Sequence, residues 1–262
     1  MRVGTLNVGS MTGRSKELAD VMLRRKINVL CVQETRWKGN KSREIGEGCK
    51  LLYSGANNQG RNGVGIILDR EWREDLVQVE RRSDRIMSVK IAVGKFNLYI
   101  ICAYAPQVGC TAEEKDEFWQ QLEMEQQAIS QEERVIIGGD LNGHLGRERR
   151  TLLRVHGGWG IGELNEEGER IMDFALANDM AMANTFFKKS AHQYVTYKSG
   201  GRESQIDFLL CRRNHLDELQ NCKIIKGESI AAQHRIVVLD CKVRNAKRGK
   251  QLGTPKVKFC GD

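Results

Sequence analysis

Asp140 and Asn142 stand two residues apart, directly after Gly138-Gly139 and the apolar run Val135-Ile136-Ile137. A carboxylate and a carboxamide at that spacing, where a strand ends, can hold a water and a phosphate together. Alone, the pair fits an Asp/Asn turn closing a strand equally well. The same pattern recurs along the chain. Asn7 closes an apolar run at 2–7, the run at 27–32 leads into Gln33-Glu34, and Tyr104 follows 100–103. Asp207 interrupts Ile206 and Phe208-Leu209-Leu210, and His234 precedes Arg235-Ile236-Val237-Val238. Individually each has a plain structural explanation: a turn, a pair with Arg36, an edge strand, a half-buried histidine. Together they supply a hard-metal ligand, an imidazole with a carboxylate partner, and amide and phenol groups for phosphate. That inventory fits phosphodiester hydrolysis.

The elements that position these groups follow from periodicity. Residues 2–7 predict a strand, Leu18, Val21 and Met22 recur at helical spacing after Ser15, and 27–32 is a second strand. Short β segments at 51–53, 64–68, 76–79, 87–93 and 97–103, separated by glycines and charges, predict a mixed sheet. Residues 113–129 carry Phe118, Leu122 and Ile129 on one face of an amphipathic helix, and the strand 135–137 follows. Gly138 and Gly139 are expected to turn the backbone sharply and let it approach a ligand. A glycine-rich loop (Gly157, Gly158, Gly160, Gly162) lacks the Lys-Ser/Thr of a P-loop and leads to Asn165. Asn165 fits the N-cap of a helix with Ile171, Phe174 and Ala175 inward and Glu166 and Glu167 in its first turn. Strands at 181–184, 194–197, 205–211, 222–225 and 235–241 complete an α/β pattern of two sheets with helices outside.

The chain has 262 residues, 42 basic and 34 acidic side chains and a formal charge of +8. From Lys242 onward seven basic residues face one acid, Asp262, which leaves 35 basic and 33 acidic groups in the rest. An anionic partner therefore meets a nearly neutral body and a basic tail. One domain at 1–241 and a flexible tail at 242–262 are expected, since the only two prolines, Pro106 and Pro255, mark no linker. Of the eight cysteines, Cys31, Cys102, Cys211 and Cys241 sit in apolar runs, and no C-x-x-C pair occurs. Reduced, buried cysteines are expected, without zinc. No basic-then-apolar leader and no apolar run of membrane-spanning length is present. An intracellular protein of the nucleus or cytoplasm, with no membrane partner, is the expectation.

Seven stretches resemble the endonuclease/exonuclease/phosphatase superfamily: Thr5-Leu6-Asn7-Val8, Val32-Gln33-Glu34-Thr35, Ala103-Tyr104-Ala105-Pro106, Gly138-Gly139-Asp140-Leu141-Asn142, Asn184-Thr185-Phe186, Gln205-Ile206-Asp207-Phe208-Leu209 and Gln233-His234-Arg235. Gln33-Glu34-Thr35-Arg36-Trp37-Lys38-Gly39, Ala103-Tyr104-Ala105-Pro106-Gln107-Val108-Gly109 and Ala232-Gln233-His234-Arg235 are most similar to RTE-type LINE retrotransposon endonuclease domains. The resemblance covers residues 2–241. It implies a DNase I-like four-layer α/β sandwich, two mixed sheets face to face with helices outside and the site along one edge. It implies a monomeric, Mg²⁺-dependent DNA-nicking enzyme that also accepts Mn²⁺ and acts on duplex DNA. By motif, Glu34 would hold the metal, with Asn7 and Gln233 beside it. Asp140 would activate water, Asn142 and Tyr104 would grip phosphate, and His234, aligned by Asp207, would stabilise the transition state. Thr196 falls where retrotransposon members place a threonine near the scissile phosphate.

Two positions depart from the superfamily pattern. Gln233 stands where most members have Asp before the last histidine, and Gly9 stands where abasic-site enzymes carry Asp. A neutral amide contributes no charge to a metal, so weaker metal affinity is expected. DNA contacts are expected from Arg36 and Lys38, with Lys41 and Arg43, after the Glu34 motif; from Arg147, Arg149 and Arg150 after Asp140; and from Lys188 and Lys189. The rival expectation is a domesticated domain of the same fold that binds nucleic acid or protein without cutting.

Overall fold

The computed structural model describes residues 1–147, 154–228 and 230–243. Arg149, Arg150 and the tail from Arg244 onward lie outside the described residues. Fifteen strands occur among the described residues: β1 Arg2–Asn7, β2 Val29–Gln33, β3 Lys41–Gly46, β4 Cys49–Ser54, β5 Val64–Leu68, β6 Leu76–Arg81, β7 Ile86–Val93, β8 Phe96–Tyr104, β9 Arg134–Asp140, β10 Met180–Met182, β11 Tyr197–Ser199, β12 Arg202–Ser204, β13 Asp207–Arg212, β14 Leu219–Ile224 and β15 Val237–Cys241. The helices are α1 Ser15–Arg25, α2 Ala112–Gln127 and α3 Glu166–Ala177. A seven-stranded sheet runs β14-β15-β1-β2-β5-β4-β3, and a six-stranded sheet runs β10-β13-β9-β8-β7-β6. Both are mixed: β1–β2 and β8–β9 are parallel pairs, and their other neighbours are antiparallel.

The chain is a four-layer α/β sandwich, and strand alternation explains the layers. Val3, Val29, Cys31, Val64 and Ile66 point from the first sheet into a core shared with Val89, Ile100, Cys102, Ile136 and Leu209 of the second. The opposite faces pack outward. Leu6, Leu30, Val32 and Ile67 meet Leu18, Val21 and Met22 of α1. Ile101, Ile137, Phe208 and Leu210 meet Phe118 and Leu122 of α2 and Ile171 and Phe174 of α3. Asn165 caps α3, its Oδ1 accepting the N–H groups of Gly168 and His144.

Four expectations need correction. β9 runs straight through Gly138 and Gly139 to Asp140, and neither glycine has positive φ. The glycines admit neighbours: a Cβ on Gly139 would lie 2.1 Å from the Ala103 carbonyl oxygen, and one on Gly138 3.1 Å from Cys31 Sγ. The strand expected at 181–184 ends at Met182, where the chain coils into the 3₁₀ turn Ala183–Phe186. At 194–197 only Tyr197 joins a strand, because the Thr196 backbone bonds Ser204 and Arg235 individually. The fold also continues past residue 241: Val243 packs into the inter-sheet core, and Lys242 N–H donates to the Glu218 carbonyl. The seven described cysteines are free, and no described helix is long and apolar enough to cross a membrane.

Candidate active site

The alternation that fills the inter-sheet core also delivers its polar end. In β1 the inward positions are Val3, Thr5 and Asn7; in β8 they end at Tyr104, in β9 at Asp140, and in β13 they start at Asp207. Tyr104 and Asp207 are both register partners of Asp140. β1, β2, β8 and β9 end at this edge, while the antiparallel β13 and β15 begin there. Below the edge, Gln33 Nε2 donates to Thr5 Oγ1 at 3.1 Å and Cys102 Sγ at 3.3 Å, grading core into site.

Asn7 is the hinge of the arrangement. Its Nδ2 donates to Glu34 Oε1 at 2.9 Å and to Asp140 Oδ2 at 3.0 Å, while its Oδ1 accepts the Gly9 N–H. Glu34 Oε1 also accepts the Tyr104 hydroxyl at 2.9 Å, and Gln107 donates to that hydroxyl oxygen at 2.7 Å. Asp140 Oδ1 accepts the Asn142 N–H at 3.2 Å, and Asn142 Nδ2 donates to the Ala105 carbonyl. His234 Nδ1 lies 3.1 Å from both oxygens of Asp207, and its Nε2 lies 3.8 Å from Asp140 Oδ2. Glu34 and Asn142 have φ of 56° and 51°, left-handed values that non-glycine residues adopt at a cost and that cluster at functional sites.

The charges follow from these contacts. Burial and then the neighbouring Asp207 charge push the Asp140 carboxyl up to about 7, against the pull of His234 and the Asn7 and Asn142 donors. Burial lowers His234, but the Asp207 charge and hydrogen bond, with Asp140 and Glu34, outweigh it and raise the imidazole to about 9. Burial alone raises Glu34, yet donors Asn7, Arg36 and Tyr104 hold it below its ordinary value. Burial and the Glu34 and Asp140 charges raise the Tyr104 phenol, so it stays protonated as a donor.

Asp140, Asp207 and His234 form a compact group of potential metal-ligand atoms. His234 Nδ1 is already engaged by Asp207, and its raised pKa disfavours the neutral ring that a cation requires. Glu34 fits a hard cation better: Oε1 is fixed by Asn7 and Tyr104, while Oε2 faces the guanidinium of Arg36, a positive group whose side chain is 51% exposed.

Asn7, Glu34, Tyr104, Asp140, Asn142, Asp207 and His234 thus lie together at this edge. Five other residues behave differently. Gln233 is exposed and donates to Ser199 Oγ, on the rim rather than among the carboxylates. Thr196 is 1% exposed, and its Oγ1 accepts the N–H groups of Ile206 and Asp207, both at 3.1 Å, so it lies beneath Asp207. Arg147 donates to the Gly160 carbonyl, Arg36 pairs with Glu34, and Lys38 is exposed. The Tyr104 proton is engaged by Glu34, which makes the phenol a support for that carboxylate. Two contributors had no role assigned from sequence. Gln107 steadies Tyr104, and Asn184 donates to the Asp207 carbonyl and accepts the Leu209 N–H. Asn184 follows the apolar residues 181–183, so the strand-end pattern could have found it.

Residues 4–219 match the family model described as the endonuclease/exonuclease/phosphatase family. The chain belongs to that family. Within the endonuclease/exonuclease/phosphatase family, the chain is 26% identical over 245 residues to craniofacial development protein 2 of Bos taurus, covering 92% of this chain and 41% of that protein. The chain therefore spans about two fifths of the curated relatives it matches. The catalytic domain of Xenopus laevis APE2 superposes with a TM-score of 0.71 at 17% identity, covering 95% of this chain and 94% of that one. The endonuclease domain of TRAS1, a telomere-specific non-LTR retrotransposon, does so with a TM-score of 0.67 at 16% identity, covering 93% and 99%. These likenesses are of fold, and they agree with a DNase I-like sandwich.

Proposed function

We propose that this chain is a divalent-metal-dependent endonuclease, descended from a retrotransposon, that nicks duplex DNA by hydrolysing phosphodiester bonds, with Mg²⁺ its ion and Mn²⁺ a substitute. The observation that carries the proposal is the continuous line of contacts Glu34–Asn7–Asp140–His234–Asp207 along the edge of the sandwich. Ionised Asp140 accepts the proton of a water that attacks phosphorus, the P–O bond to the leaving sugar oxygen breaks as the new one forms, and that oxygen takes up a proton from solvent. Asn7 and the Asn142 N–H hold both of its oxygens, so little reorganisation is needed at the moment of attack. Protonated His234, held by Asp207, presents Nε2 toward the phosphate oxygens where negative charge grows. Glu34 would hold the cation, which supplies charge neutralisation for the phosphate.

One observation favours a second reading, a DNA- or protein-binding domain that does not cut: Gln233 adds no carboxylate, and its side chain is spent on Ser199. Conversion of supercoiled plasmid to open circle separates the two. With Mg²⁺ the wild type is expected to nick while Glu34→Ala and His234→Ala do not; equal or absent nicking in all three sinks the enzyme reading.

A further inference from the structure

Among the described residues, six large apolar side chains are exposed: Leu23, Val77, Val108, Met124, Trp159 and Leu176. Trp159 is the one aromatic among them, at 36% exposure, and Lys188 Nζ lies 5.3 Å from its ring centroid. The backbone that carries it is clamped. Trp159 N–H donates to the Thr185 carbonyl at 3.1 Å, Gly157 N–H donates to Thr185 Oγ1 at 2.7 Å, and Arg147 Nε donates to the Gly160 carbonyl at 3.0 Å. A Cβ on Gly157 would lie 2.3 Å from the Thr185 carbonyl oxygen, and one on Gly160 2.4 Å from that of Gly146. The indole is therefore presented outward by a segment pressed against its neighbours.

Both anchors belong to the edge that carries the site. Met182 pairs with Leu210 in antiparallel register, so β10 ends at the same side as Asp207, and the turn after it holds Thr185 beside Asn184, which bonds the Asp207 backbone. The other anchor, Gly146-Arg147, lies in the loop leaving β9 after Asp140. The indole, with the exposed Lys188 ammonium over one face and exposed Arg147 bonded to the adjoining Gly160 carbonyl, leaves its other face to a flat aromatic group carrying negative charge. In a paired duplex each base already has both faces covered by stacking. An unpaired one has a free face.

We infer that Trp159, with Lys188 and Arg147, is a stacking platform for an unpaired nucleobase near the scissile phosphate, giving this protein a preference for DNA with an unpaired tract over fully paired duplex. This rests on the nuclease reading for its substrate, though not for its test. Fluorescence anisotropy of the full chain in EDTA, where nothing is cut, compares a labelled duplex with the same duplex carrying a short unpaired tract. The wild type is expected to bind the second about tenfold more tightly. Trp159→Ala and Trp159→Leu lose that preference while duplex affinity stays within about twofold, and Trp159→Phe keeps most of it. Circular dichroism confirms that each variant is folded. Equal binding of both DNAs by the wild type, or a preference that survives Trp159→Leu, overturns the platform. A wild type that fails to nick plasmid with Mg²⁺ yet shows the Trp159-dependent preference refutes the nuclease reading and leaves the platform standing.

Discussion

His234 Nε2 lies 3.8 Å from Asp140 Oδ2, so neither group changes charge without the other responding. Burial and then the Asp207 charge raise Asp140 to about 7, while Asp207, 3.1 Å from His234 on the other side of the ring, leads the carboxylates that outweigh burial and raise His234 to about 9. A base that must be ionised and an acid that must stay protonated give a bell-shaped rate, with limbs that belong to the pair as a whole.

The pH–rate profile of single-turnover nicking is therefore expected to rise near pH 7 and fall near pH 9. Asp207→Asn removes the charge that lifts both groups, and both limbs should move to lower pH, with a slower plateau. Limbs that stay in place in the variant contradict this electrostatic account.

The raised Asp140 carboxyl also has a stability consequence. Its folded pKa, about 7, lies above its ordinary 3.8, so the folded chain binds the proton more tightly and loses stability as pH rises across that window. At pH 8 without metal, Asp140→Asn should gain roughly 4 °C in Tm, about 1–2 kcal/mol, while losing activity. A Tm below that of the wild type at pH 8 would refute this sign.

Asn7 is the donor shared by Glu34 and Asp140, the carboxylates proposed to hold the cation and to activate water. Asn7→Ala leaves both without it and should lower kcat/KM by about 10²- to 10³-fold in a folded protein. Asn7→Asp adds a third negative charge and should also push the acid limb upward. Steady-state kinetics with a pH series on both variants checks this; a loss below tenfold in Asn7→Ala speaks against a bridging role.

Thr196 acts through Asp207. Thr196→Val leaves the buried N–H groups of Ile206 and Asp207 without an acceptor, at a cost of about 1–3 kcal/mol. The basic limb should fall as Asp207 loosens from His234, and Thr196→Ser should restore both stability and profile. A Thr196→Val profile that matches the wild type means that the hydroxyl does not position Asp207.

The site was legible because polar residues interrupted or closed apolar runs at Asn7, Glu34, Tyr104, Asp140, Asp207 and His234, and inward-facing strand positions carry most of them to one edge. The two-sheet architecture was legible for the same reason. β3 was missed because only Ile45 of its six residues is buried, so no alternation marks it, and β11 and β12 are likewise short and exposed. Gly138-Gly139 misled because the glycines answer to Ala103 and Cys31, which are distant in sequence. The Asn7 bridge, the Thr196 support and the rim position of Gln233 depend on where separate strands meet, which periodicity does not record.

The most direct test of the central claim is the nicking rate of supercoiled plasmid at pH 8 with Mg²⁺ in excess, wild type against Asp140→Asn prepared in parallel. Asp140 as the water-activating base predicts open-circle product from the wild type, abolished by EDTA, and a rate at least about 10³-fold lower in the variant. A wild type that leaves the plasmid intact, or an Asp140→Asn protein that nicks at the wild-type rate, contradicts it.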